Sequence, residues 1–312
     1  MKELIYKITY ALFYMVSLLP YRALYVLSDF FYVIVRLSGY RRRVVRHNIE
    51  TAFPEKSTQE HRQIERRFYR WLCDYFVETV KLLSVSRETL LKHIEFRGTE
   101  LVEECFDHGQ NCGAMLGHYG NWELLSATGL AMTRHTDAVM GLIYHPLRSD
   151  LFDRLFIDIR QSMGGVCIPK KDILRYLVGY KRENRMNLFG YISDQAPKWE
   201  NIHLWIPFLH HDTPVFTGAE RIMRKMQNAV FYVDMERPRR GHYLVTFKLI
   251  TTDPQSMEEH AITRRFFEML EETIRRNPSC YLWSHDRWRR THEEFNRRYE
   301  VVNGKVIQRK ES

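Results

Sequence analysis

The chain of 312 residues has no Cys-x-x-Cys pair, no His-Glu-x-x-His spacing, no Gly-x-Ser-x-Gly elbow, no internal repeat and no low-complexity linker. Its five cysteines (Cys73, Cys105, Cys112, Cys167 and Cys280) are odd in number and dispersed. They read as reduced thiols in a cytosol-facing body, not as a disulfide framework or a zinc cluster. The missing His-Glu-x-x-His leaves "HLWIPFLHHD" (203 to 212), with His203, His210, His211 and Asp212, without metal spacing. That aliphatic and aromatic run suits an acyl-chain or membrane contact, and no metal or cofactor is expected. The missing serine elbow, with no cysteine beside a histidine, leaves no obvious nucleophile for a covalent intermediate. No uninterrupted apolar run reaches the roughly 20 residues a membrane-crossing helix needs.

What is present is a large apolar and basic inventory. Hydrophobic residues make up 45% and aromatics 13%, enough to bury a sizeable core, and 47 Lys and Arg against 38 Asp and Glu give a net charge of +9. The balance favours anionic partners: phosphate, nucleic acid, anionic lipid or an acidic protein. Residues 4 to 37 are nearly all apolar and aromatic, broken by Lys7, Pro20-Tyr21-Arg22, Asp29 and Arg36. No small-residue cleavage site stands out, so a signal peptide fits poorly. Arg41, Arg42, Arg43 and Arg46 follow directly, and such a cluster marks a cytoplasmic side and grips anionic headgroups. Residues 1 to 40 are therefore expected to form a helical membrane anchor, either one tilted span or a broken interfacial pair. A buried helical hairpin of a soluble protein is the alternative.

Residues 41 to 312 read as one α/β domain. Ser57 or Thr58 is a candidate cap for a long amphipathic helix with Ile64, Phe68, Leu72, Tyr75, Phe76, Val80 and Leu83 at helical spacing. From about residue 110, short apolar runs alternate with helical stretches. Strands are predicted near 112 to 117, 137 to 144, 187 to 193, 229 to 235 and 243 to 250. Helices are predicted near 121 to 132, 149 to 162, 171 to 183, 215 to 227 and 258 to 276. The basic and aromatic "RWRRTHEEFNRRYE" near the end carries no recognised nucleic-acid motif, so it reads as part of a basic rim and no nucleic-acid partner is expected.

Within this body, "MLGHYGNWELL" (115 to 125) stands out. A buried strand runs into a glycine-flanked turn, with Asn121 as candidate N-cap of the next helix. His118 then lies beyond a strand's carboxyl end, where open α/β sheets place their active sites. Glu123 falls in the first helical turn, a spacing that suits a base and the carboxylate orienting it. A first-turn Glu is also favoured by the helix dipole alone, whatever the chemistry.

"HYGNWE" (118 to 123) resembles the H-x-x-x-x-[DE] signature of the lysophospholipid acyltransferase superfamily. In its His-x-Gly-Asn-Trp-Glu form it is similar to the lipid A late acyltransferases, the lauroyl and myristoyl transferases of bacterial lipopolysaccharide synthesis. Three further segments resemble that family in order: "YHPLRSDLFDRLFIDIR" (144 to 160), "YISDQAP" (191 to 197) and "CYLWSHDRW" (280 to 288). The resemblance implies a glycerolipid acyltransferase-like fold, a single mixed central sheet flanked by helices. It also implies transfer of an acyl chain from acyl carrier protein, or acyl-CoA, to a hydroxyl of a lipid A precursor at the cytoplasmic face of the bacterial inner membrane.

Carried onto these residues, His118 is the expected general base and Glu123 its orienting partner, with direct transfer and no acyl-enzyme. Asn121, Tyr144, Arg160, Asp194, Gln195, His285 and Arg287 are the expected substrate-binding residues. Arg160, a planar fork of donors, suits a phosphate or headgroup. Backbone N–H groups near Gly117 or Gly120, or Arg160 itself, are candidate donors to the tetrahedral oxyanion. Asp194 closes an apolar run where it binds an acceptor sugar or positions a basic side chain, with a plain turn aspartate before Pro197 as the alternative. Gln195 departs from the histidine or acidic residue expected in some relatives, which leaves the acceptor open. Acylation of another glycolipid, aminolipid or phospholipid remains an alternative, as does a non-catalytic, membrane-attached binder of anionic lipids.

Overall fold

A computed structural model describes residues 1–302 and 304–309. The apolar amino terminus forms two helices, α1 (Lys2–Leu18) and α2 (Tyr21–Ser38), bent by 116° at the Pro20 break. No single helix among the described residues is long and apolar enough to cross a membrane; only this bent pair passes that test together. The pair packs on the body by one side and leaves an apolar stripe exposed on each helix: Leu4, Ile8, Leu12 and Met15 on α1, Val26, Phe30, Val33 and Leu37 on α2.

Next come α3 (Arg42–Ala52) and α4 (Thr58–Lys81). Ser57 opens α4 with a full capping box: its Oγ accepts from the Glu60 N–H at 3.3 Å, and Glu60 accepts from the Ser57 N–H at 2.8 Å. Of the predicted stripe, Ile64, Phe68 and Val80 are buried and Leu72, Tyr75 and Leu83 half-buried, so most of it faces the core, while Phe76 is exposed beside Phe13 of α1. Its polar residues fasten the amino-terminal pair. Asp74 accepts from Ser28 at 2.6 Å, Glu78 accepts from Tyr25 at 3.0 Å, and Lys81 donates to the carbonyls of Ser17 and Leu19 at 2.7 and 3.0 Å.

The body continues α5 (Arg87–Leu91), β1 (Ile94–Arg97), α6 (Thr99–Asp107), β2 (Cys112–Leu116), a 3₁₀ helix Trp122–Ala131, β3 (Val139–Tyr144), α7 (Asp150–Gln161), β4 (Val166–Pro169), α8 (Ile173–Arg182) and β5 (Asn187–Ile192). A hairpin of β6 (Leu204–Phe208) and β7 (His211–Val215) follows, then α9 (Gly218–Met226), β8 (Ala229–Arg239), β9 (His242–Thr251), α10 (Ala261–Arg276), α11 (His292–Arg298) and a last hairpin of β10 (Tyr299–Val302) and β11 (Lys305–Gln308). Seven strands make one mixed sheet in the order β1-β9-β8-β2-β5-β3-β4, with only the β8–β9 pairing antiparallel. The expected α/β architecture with a mixed central sheet flanked by helices is what the chain adopts.

Strand β2 is buried along its whole length between β8 and β5, hence its unbroken apolar "CGAML". The five predicted strands are all present; β1, β4 and the β6–β7 and β10–β11 hairpins were not foreseen. Segment 203 to 212, expected as an acyl or membrane contact, folds largely into the β6–β7 hairpin, with Leu204, Ile206 and Phe208 turned into the core. The predicted helix at 121 to 132 is a 3₁₀ helix instead. Ser126 and Thr128 donate their hydroxyls to carbonyls three residues back, at 2.7 and 2.8 Å, alongside the tighter winding.

Candidate active site

Strands β2, β5, β3 and β4 run parallel, so their carboxyl ends share one edge of the sheet. His118 emerges two residues after β2 and Asp194 two residues after β5. Their side chains meet there, His118 Nδ1 lying 2.6 Å from Asp194 Oδ1. The turn that holds His118 is clamped by the closing segment: Gly120 N–H donates to the Cys280 carbonyl at 2.9 Å, and Leu282 N–H donates to the His118 carbonyl at 3.1 Å. Gly120 has φ +59° with Met235 packed against it, so any Cβ there meets both strain and a clash.

Asp194 is almost fully enclosed, while the His118 side chain keeps 17% of its surface exposed. Burial works against the aspartate's charge, but the His118 charge and hydrogen bond and the Arg287 charge outweigh it and hold the carboxyl down at about 2. An ionised Asp194 assigns the imidazole proton to Nδ1 and leaves Nε2 as the acceptor. That Nε2 lies 3.2 Å from the Gln195 amide nitrogen, which donates to it. The Trp122 indole meets the imidazole edge-on, with centroids 5.0 Å apart.

Glu123 was expected to orient His118, and the structure corrects this. The carboxylate is 1% exposed and forms a two-pronged pair with Arg160: Nε to Oε2 at 2.6 Å and Nη2 to Oε1 at 2.7 Å. Trp122 Nε1 and the Tyr75 hydroxyl also donate to it, at 3.1 and 3.3 Å. Among the described residues none of its hydrogen bonds goes to His118. Winding the segment as a 3₁₀ helix turns Glu123 into the body, and the orienting position falls to Asp194, 76 residues further along the chain. Arg160 is corrected with it. Burial opposes its charge, yet the hydrogen bonds and charge of Glu123 raise its pKa above the ordinary guanidinium value, so two of its nitrogens serve an internal carboxylate and not a headgroup.

Asn121 is the second correction. It precedes the 3₁₀ helix but makes no side-chain cap, is 0% exposed, and donates to Glu78 at 3.2 Å while accepting from Thr79 at 3.5 Å. It ties the turn to α4 and has no surface for substrate. Arg287 is the third. Its guanidinium is buried over the rings of Phe267 and Phe208, 5.6 and 6.0 Å from their centroids, and among the described residues Nε, Nη1 and Nη2 have no hydrogen-bond partner. Burial lowers its pKa, with Tyr281 and Asp194 opposing. It acts as a charge neighbour of Asp194 instead of a surface ligand for phosphate.

His285 accepts from the Ala196 N–H at Nε2, 3.2 Å, just past Asp194 and Gln195. Burial first, then the nearby Arg287 cation, push it down to about 4 against the opposing Asp194 charge, so it sits neutral. Tyr144 ends β3 at the same sheet edge and is half-buried. The structure thus joins His118, Asp194, Gln195, His285 and the buried Arg287, and sets Glu123, Arg160 and Trp122 beside them. Sequence reasoning missed Tyr75 and Glu78, which hold Glu123 and Asn121. Both lie on α4, where Tyr75 was read as an ordinary core position; no local signal distinguishes it. The candidate oxyanion donor at Gly120 is removed, because its N–H is spent on Cys280.

The sequence model for bacterial lipid A biosynthesis acyltransferases matches residues 2–290, nearly the whole chain. The chain belongs to this family. It is an acyltransferase of the lipid A biosynthesis type. The chain is similar to Lipid A biosynthesis acyltransferase 2 of Shigella flexneri, 22% identical over 256 residues that cover 80% of this chain and 77% of that protein. The His118 turn, the Tyr144 to Arg160 segment, the Asp194 motif and the closing segment all fall within the family match.

Proposed function

We propose that this acyltransferase moves a fatty acyl chain directly from an acyl carrier protein thioester, or acyl-CoA, to a hydroxyl of a lipid A precursor. The observation that carries this reading is the 2.6 Å pairing of His118 Nδ1 with a buried, ionised Asp194 at the carboxyl edge of the sheet. Asp194 fixes the tautomer, so Nε2 takes the proton of the acceptor hydroxyl as its oxygen attacks the thioester carbonyl. Asp194 then stabilises the imidazolium until the proton passes to the leaving thiolate. Gln195 holds Nε2 before substrate arrives and yields that place to the hydroxyl. Arg160, set by Glu123, supplies the cation beside the developing oxyanion, since its Nη1 is not used in the pair. Residues 1–40 attach the chain to the cytoplasmic face of the bacterial inner membrane by the exposed apolar stripes of α1 and α2, and residues 41–312 form the transferase domain.

The test is transfer from labelled acyl carrier protein to a tetra-acylated lipid A precursor in membranes, wild type beside Asp194→Asn. Transfer by the wild type with a loss of 10² or more in the variant, which keeps its fold, supports the reading. No transfer by the wild type removes the acceptor, and other glycolipids, aminolipids and phospholipids are then offered in turn.

A further inference from the structure

The edge of the sheet that carries His118 also carries an exposed ledge that the chemistry above does not use. The loop after β3 (145 to 150) is exposed throughout, as are Lys170 and Lys171 after β4. Both loops follow strands parallel to β2 and β5, so they stand at the same end of the sheet as His118 and Asp194. Large apolar side chains project from them and from the helices they start: Leu147 at 46% exposure, Phe152 at 43% and Leu174 at 38%. Solvent alone gives no reason for three such residues at one rim.

The charges of this rim are uneven. Two of its three acids face cations, Asp150 at Lys2 (3.7 Å) and Asp172 at Arg175 (3.4 Å), while Asp153 keeps its charge and accepts from the Leu147 N–H at 2.6 Å. Arg148, Lys170 and Lys171 form no ion pair among the described residues, which leaves the rim with a net positive surface. The rim is also continuous with the amino-terminal helices. Helix α1 runs beside α7 in the same direction, with Lys2 at Asp150, Glu3 bonded to Arg154 at 2.7 Å and Tyr6 donating to Asp158. Exposed Leu4 and Ile5 therefore lie on the stretch of α1 that runs along the first turns of α7.

We infer that Leu147, Phe152 and Leu174, with Arg148, Lys170 and Lys171, form a second membrane contact that seats the mouth of the His118 site on an anionic bilayer surface. The apolar side chains enter the headgroup boundary and the three cations meet lipid phosphates, the combination that holds amphipathic surfaces on anionic membranes. Together with α1 it fixes how the site faces the lipid, which a single anchor at one end of the chain does not. The inference rests on the membrane reading of the amino-terminal pair and extends it to a separate part of the fold.

The experiment uses the full chain with an environment-sensitive fluorophore at L147C or L174C, and at R182C on the far end of α8 as control. Label taken up by the wild-type chain at half-buried Cys167 is subtracted. With vesicles of phosphatidylcholine and phosphatidylglycerol, positions 147 and 174 should shift to the blue and be quenched by spin-labelled lipid, and position 182 should not. K170Q/K171Q should weaken binding to these vesicles by on the order of tenfold, with no effect on phosphatidylcholine alone. Aqueous emission at 147 and 174 while the chain co-sediments through α1 and α2 overturns the ledge and leaves the anchor standing. A shift produced by an acidic protein in solution, but not by vesicles, overturns it in favour of protein docking. Failure of the whole chain to co-sediment overturns the membrane attachment itself. None of these readouts depends on acyl transfer.

Discussion

Two buried carboxylates flank the same turn, and their partners set them apart. Asp194 faces an imidazole that remains partly open to solvent and can gain and lose a proton; Glu123 faces a guanidinium that cannot be deprotonated. Both pairs are short and enclosed, yet only the first can change charge during a reaction. The second is a permanent pair between the 3₁₀ helix and α7, reinforced by Tyr75 from α4. A carboxylate near a histidine in sequence is therefore no guide to which carboxylate serves it in space.

The contrast can be broken most sharply at the proton-accepting side. His118→Ala should lower transfer by on the order of 10² or more with its melting temperature little changed, because the imidazole acts in the reaction and bears little of the core. Near-normal turnover in that variant would sink the proposed mechanism. Glu123→Ala should act through the fold: it strands the buried Arg160 cation, so unfolding free energy should fall by about 3–5 kcal/mol in a denaturant titration. Activity should fall alongside, and a variant that loses transfer at full stability would place Glu123 in the chemistry directly.

Asn121→Ala tests the tie between turn and α4. It removes the donor to buried Glu78, and about 1–3 kcal/mol of stability should go with it, measured the same way. A last effect is confined to acid. His285 is held down at about 4 against an ordinary 6.5, so between those values the unfolded chain binds more protons than the folded one. Stability from this group is present above pH 6.5 and is lost as pH falls toward 4. Melting curves across that window should slope less in His285→Gln than in the wild type, and parallel slopes would show that His285 is not the titrating group.

Much of the body was legible because its signals are local. Strand β2 announces itself by five consecutive apolar residues, and α4 by a cap candidate at Ser57 or Thr58 and a stripe of helical period. Strands β1 and β4 escaped because four residues give too short a period, and their pairing along the sheet is what makes them strands. The amino-terminal apolar stretch was open between one tilted span and a broken pair; Pro20 and the polar residues of α4 that receive Tyr25, Ser28 and the Ser17 carbonyl go with the bent arrangement.

The site divides along the same line. The sequence by itself determined that His118 sits in a glycine-flanked turn after a buried strand, and that Asp194 closes another, because strand, turn and residue type are set within a few positions. Which carboxylate turns to the imidazole was decided only by tertiary structure. Parallel pairing of β2 with β5 brings residues 76 apart to 2.6 Å, and the inward winding of the 3₁₀ helix gives Glu123 to Arg160. Hydrogen bonds of this kind depend on where strands end in space, and spacing along the chain does not encode that.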